Sequence, residues 1–110
     1  MADGIFLATV DQIPKGEGRT FEVAGRRMAV FHTHAGEVFA TQAECPHRAG
    51  PLADGLLGGT TVVCPLHDRT FDLRTGCGVS DNTRAIAVYP VRLAGTGEIW
   101  LLPGEGRTGT

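Results

Sequence analysis

A chain of 110 residues fits one domain and can bury a core with a modest stability margin. Hydrophobic residues make up 42%, which excludes wholesale disorder, and 10 Lys+Arg against 12 Asp+Glu leave no basic excess to neutralise the phosphates of a nucleic acid. No apolar run approaches the ~18 residues that span a bilayer, and no basic segment opens a signal peptide, so a cytoplasmic protein with neither membrane nor nucleic acid as partner is expected.

The 16 glycines and the 6% aromatic content point to turns and short strands. In chain order, residues 9–13 suggest one helical turn before Pro14. Residues 21–23 and 28–31 flank Ala24-Gly25-Arg26, a hairpin signal. A second pair, residues 28–32 and 38–40, surrounds Ala35-Gly36-Glu37. The β-branched stretch at 60–63 predicts a strand running into Cys64. Residues 70–73 alternate and break at Thr75-Gly76. Residues 85–93 are strand-like, with Pro90 marking an edge position or a bulge. Residues 98–102 close the series. Many short strands separated by turn signals predict an all-β protein, an antiparallel β-sandwich or small barrel. The ordered domain is expected over 1–103, with 104–110 a flexible C-terminal tail.

Two short motifs carry the chemistry. Cys45-Pro46-His47 is Cys-X-His, and Cys64-Pro65-Leu66-His67 is Cys-X-X-His, with residues 48–63 between them. Each supplies one soft thiolate and one imidazole. Such a set can hold a single tetrahedral zinc ion or divide between two irons. Zinc sites usually pair their cysteines and histidines by type, and this order interleaves them, which favours two irons. A Pro after each Cys stiffens its loop. An emptied site, kept as an interaction module, is a further alternative. An odd number of cysteines excludes a full disulfide framework, and Cys77, outside both motifs, reads as a small structural residue. His32 and His34 read as exposed polar residues near a turn.

The sequence resembles the Rieske [2Fe–2S] ferredoxin-type family over most of its length. The likeness is strongest from Thr41 to Thr75, through Gln42-Ala43-Glu44-Cys45-Pro46-His47, Gly50-Pro51-Leu52-Ala53-Asp54-Gly55, Cys64-Pro65-Leu66-His67 and Phe71-Asp72-Leu73-Arg74-Thr75-Gly76. The resemblance implies the Rieske fold, with a two-loop cluster-binding subdomain at about 43–77. It also implies one [2Fe–2S] cluster, with Cys45 and Cys64 on the inner iron and His47 and His67 on the outer, near the surface. Two ferric ions are then balanced by two sulfides and two thiolates, so the oxidised centre is neutral and one electron makes it negative.

Against the high-potential respiratory members of that family, this chain lacks several features. Their bridged cysteines correspond here to Gly50 and Leu66, and their Ser and Tyr donors to sulfur correspond to Arg69 and Phe71. Donors to sulfur stabilise the reduced form, so the expected potential is at the low end of the Rieske range, nearer about −150 mV than +300 mV. The segment from Gly78 to Thr83 also lacks the proline found in the family's covering loop. Arg48 and Arg69, beside the ligand histidines in sequence, are candidates for docking an acidic partner.

Two roles follow from the resemblance. The chain is similar to the small subunit of NAD(P)H-dependent assimilatory nitrite reductase, through Gly36-Glu37-Val38-Phe39-Ala40-Thr41, Tyr89-Pro90-Val91-Arg92 and Cys77, and the expectation leans to this role. It is also similar to the free ferredoxins that serve ring-hydroxylating oxygenases. The partner is accordingly the reductase's large subunit, or a reductase and an oxygenase. A redox sensor or maturation factor is a third reading. No Gly-rich dinucleotide fingerprint follows a strand, and no nucleophile–base pair stands out, so no catalytic site of its own is expected.

Overall fold

The computed structural model describes residues 4–23, 25–44, 51–64, 70–79, 85–102 and 107–108. The described secondary structure is eleven strands and two short 3-10 turns. In chain order the strands are β1 (Ile5–Thr9), β2 (Glu17–Val23), β3 (Arg26–His32), β4 (Val38–Gln42), β5 (Leu56–Gly58), β6 (Thr61–Val63), β7 (Thr70–Asp72), β8 (Ala87–Tyr89), β9 (Val91–Leu93), β10 (Glu98–Leu101) and β11 (Arg107–Thr108). The 3-10 turns are Val10–Gln12, the helical turn expected near residues 9–13, and Leu52–Asp54. All named pairings are antiparallel.

The strands form three sheets: β11-β8-β4-β3-β2, β1-β10-β9 and β5-β6-β7. Both expected hairpins are present. β2 and β3 pair from Glu17↔His32 to Val23↔Arg26, so only two residues connect them. That tight reversal demands positive φ, which Gly25 supplies at 78°. β3 and β4 pair from Met28↔Gln42 to His32↔Val38.

β3 explains the shape of the core. Met28, Ala29, Val30, Phe31 and His32 are all buried, with no polar alternation. A strand reads this way when both faces of its sheet are covered. Ala29 and Phe31 belong to one apolar cluster, with Leu52, Val62, Cys64, Phe71, Leu73 and Ile86. Val30 belongs to another, with Ile13, Ala40 and Ile99, against which Leu7, Phe21 and Tyr89 pack. The five-stranded sheet is therefore a central layer. Elements of the β5-β6-β7 sheet cover one side, and elements of the β1-β10-β9 sheet the other.

Residues 85–93 do not make one strand. β8 pairs with β4, β9 pairs with β10, and the chain changes sheet at Pro90. Proline has no N–H to offer a ladder, so the break falls where a donor is dispensable. The Pro90 carbonyl still accepts a bond from Leu102 N–H at 2.9 Å. The tail, expected to be flexible, carries the two-residue strand β11, which pairs with β8.

Candidate metal centre

The structure describes one of the four expected ligands. Cys64 follows β6 directly and is fully buried among Leu52, Val62 and Phe71. Cys45, His47 and His67 lie outside the described residues, as do Gly50, Leu66, Arg48 and Arg69. Most of the Gly78–Thr83 segment lies outside them too. Among the described residues no three His, Cys, Asp or Glu side chains form a metal-binding group.

What the structure does define is how both ligand loops are anchored. The first loop leaves at Glu44 and returns at Pro51, and these two residues form an antiparallel bridge. Leu52 N–H donates to the Ala43 carbonyl at 2.9 Å, and Arg27 Nη1 lies 2.5 Å from Glu44 Oε2. Gln42 adds two bonds. Its Nε2 donates to the Glu44 carbonyl at 2.7 Å, and its Oε1 accepts from Ala87 N–H at 2.8 Å. The second loop springs from β6 and returns on β7, closed by the pair Val63↔Thr70. The segment 77–79 lies beside β7, with an isolated bridge between Phe71 and Gly78: Asp72 N–H donates to the Cys77 carbonyl at 2.9 Å, and Val79 N–H to the Thr70 carbonyl at 2.8 Å.

The two anchors are held together by the Leu52–Asp54 turn. Leu52 and Ala53 are buried in the same cluster as Cys64. Gly55 follows, and a Cβ there would collide with the Val63 carbonyl. Only glycine allows this approach, which sets the return of the first loop against the strand that carries Cys64. Two Cys–His loops on anchored hairpin stems, with the described thiol withdrawn from solvent, are what an iron–sulfur centre needs. The donor set of two thiolates and two imidazoles fits such a group.

One side chain differs from expectation. His32 is buried, 7% exposed, and its Nδ1 lies 2.7 Å from the Ile13 carbonyl. That carbonyl comes from a segment outside the β-ladder, and the ring supplies it with a partner, so His32 ties down a loop. His34 is exposed, as expected. Cys77 is intermediate in exposure, and its N–H donates to Thr75 Oγ1 at 3.2 Å. On the turn after β7, Arg74 reaches both carboxylate oxygens of Asp72, at 3.2 and 3.0 Å. This bond holds the Asp72 carboxyl below its usual pKa, against a partial opposing effect of burial.

Comparison with known proteins agrees with this architecture. Residues 5–102 match the Rieske-like [2Fe-2S] domain model. The ferredoxin component of the naphthalene 1,2-dioxygenase/salicylate 5-hydroxylase systems of Ralstonia sp is 37% identical over 90 residues, covering 81% of this chain and 86% of that one. Among solved structures, the ferredoxin of carbazole 1,9a-dioxygenase from Nocardioides aromaticivorans IC177 superposes with a TM-score of 0.81 at 28% identity, over 94% of this chain and all of that one. A protein assigned as an NADH-dependent nitrite reductase small subunit from Mycobacterium tuberculosis gives 0.84 at 22% identity, over 96% and 98%, a likeness of fold alone.

The chain belongs to the Rieske-like [2Fe-2S] domain family. Its cofactor is one Rieske-type [2Fe–2S] cluster, which supplies one-electron chemistry, and its activity is electron transfer. No helix among the described residues is long and apolar enough to cross a membrane.

Proposed function

We propose that this chain is a cytoplasmic electron carrier, the ferredoxin component of a ring-hydroxylating oxygenase system. Its cluster ligands in this proposal are Cys45 and Cys64 on one iron and His47 and His67 on the other. The observation that carries the role is the 37% identity to a dioxygenase ferredoxin over 81% of the chain. The sequence leaned to a nitrite reductase small subunit through a few short segments and Cys77. The corresponding structural likeness, at 22% identity, speaks for fold and not for partner. The chain accepts an electron from a reductase and gives it to an oxygenase. Its own residues hold the loops in place and bury the Cys64 thiolate in an apolar wall. The absence of the respiratory sulfur donors supports a low potential.

The role is tested with a naphthalene 1,2-dioxygenase system from which the native ferredoxin is omitted. This protein is expected to restore naphthalene oxidation in the presence of the reductase and oxygenase. No restoration, with co-purification and nitrite-dependent reoxidation beside a nitrite reductase large subunit, would assign it to the other system. The ligands are tested separately by electron paramagnetic resonance. The Rieske signal of the reduced protein should vanish in Cys45→Ser, His47→Ala, Cys64→Ser and His67→Ala.

A further inference from the structure

Gln42 ends β4, three residues before the first expected ligand. A glutamine on a strand end is ordinarily a solvated side chain. This one is half-buried and uses both ends of its amide. Nε2 donates to the Glu44 carbonyl at 2.7 Å. Oε1 accepts from Ala87 N–H at 2.8 Å, across 45 positions of sequence. Ala87 opens β8, but its N–H here bonds to a side chain. Both partners would otherwise need another group, and unsatisfied backbone groups at such positions are costly.

The position matters more than the bonds alone. The Glu44 carbonyl belongs to the peptide unit joining Glu44 to Cys45. Because that unit is planar, holding the carbonyl also sets the direction in which the chain departs toward Cys45. The other end of the amide holds the start of β8, to which the chain returns after the second ligand loop and the segment beyond it. From these bonds we infer that Gln42 is a positioning residue for the cluster. It locks the stem of the first ligand loop to the entry of β8, and so fixes the geometry of the Cys45 end of the centre. The Arg27–Glu44 ion pair is more than half exposed on its arginine side and is a weaker restraint on the same stem.

This rests on Cys45 being a ligand, so the test separates the two claims. Three variants of the full chain, loaded with cluster, are compared with the parent. Gln42→Leu keeps the approximate shape and loses both bonds. Gln42→Glu keeps the acceptor for Ala87 N–H and loses the donor to the Glu44 carbonyl. Thr33→Val is the control: it removes the hydroxyl that accepts Glu37 N–H at 3.0 Å in the β3–β4 turn, away from the ligand loops. The readouts are melting temperature, the g-values of the reduced protein and the rate of iron release to a chelator.

Both Gln42 variants should shift the g-values; Gln42→Glu should release iron about fivefold faster, the factor expected for one net hydrogen bond, and Gln42→Leu, which loses two, about twenty-five-fold faster. Thr33→Val should lower the melting temperature without either change. Gln42 variants with parental g-values and iron release, or with changes no larger than those of Thr33→Val, overturn the inference. A Cys45→Ser protein that keeps the parental Rieske signal overturns instead the ligand assignment beneath it.

Discussion

Phe71 and Cys64 share one wall of the core, and both are fully buried. Phe71 occupies the position at which high-potential relatives place a tyrosine, and it brings no hydroxyl to a centre that becomes negative on reduction. Phe71→Tyr should raise the reduction potential. One hydrogen bond of about 1 kcal/mol made mainly to the reduced form corresponds to about 40 mV for a one-electron couple. A redox titration followed by electron paramagnetic resonance measures it, and an unchanged potential would place the new hydroxyl away from the sulfurs. The four ligand candidates stand out in the sequence because thiolate and imidazole at those spacings have few other uses. His32 does not. Its burial depends on the Ile13 carbonyl, 19 positions away, and local alternation carries no trace of such a partner. Gln42 and Gly55 were visible only as letters of a pattern. Their roles lie in contacts with Ala87 and Val63, which only the folded chain brings near.

The elements around the centre are short, and single atoms decide how they meet. Gly55→Ala places a methyl group against the Val63 carbonyl, a backbone atom that cannot step aside. Overpacking of this kind typically costs about 1–3 kcal/mol. The variant should melt lower and hold less iron per chain, as read by thermal unfolding and iron analysis. The turn after β7 makes a different prediction. Folding lowers the Asp72 pKa, chiefly through the bond from Arg74. Its contribution to stability is therefore complete above the unfolded carboxyl pKa of about 4 and is lost as pH falls through the lower folded value. Asp72→Asn should melt below the parent at neutral pH, and the gap should close in acid. The gap will be small, because Arg74 is exposed to solvent.

Strand placement was legible for β3, β4, β6, β7, β10 and the last three residues of β2, where β-branched or aromatic residues sit between clear turn signals. It failed for β5, a Leu-Leu-Gly stretch with no such residues, and for β1, where no strand was expected. Residues 85–93 look like one strand from composition. Only the separate pairings of β8 with β4 and β9 with β10 show that they serve two sheets.

The largest feature of the molecule is a five-stranded sheet covered on both sides. The sequence pointed to a sandwich or small barrel, but a sequence does not say which run of apolar residues is doubly covered. The unbroken burial of residues 28–32 is that signature. Amides of β3 should accordingly exchange with deuterium only through global unfolding, at about 5–15 kcal/mol. Amides on the outer edge of β1 should exchange through local opening, since Ile5 and Phe6 are exposed and, among the described residues, only one edge of β1 is paired. Uniform protection along the chain would contradict this layering.

The pairing of Ile5 with Leu101 has a consequence for how the protein is made. The β5-β6-β7 sheet is built from neighbours in sequence and can close early as the chain leaves the ribosome. β1 must wait for β10, almost the whole length of the chain later, and contacts so distant form slowly. Until then Ile13 and Val30 lack Ile99 above them, and one face of the central sheet stands open. β10 thus seals a strand synthesised about ninety residues before it. A nascent chain stalled before residue 98 would expose that face while the strand bearing Cys64 was already in place.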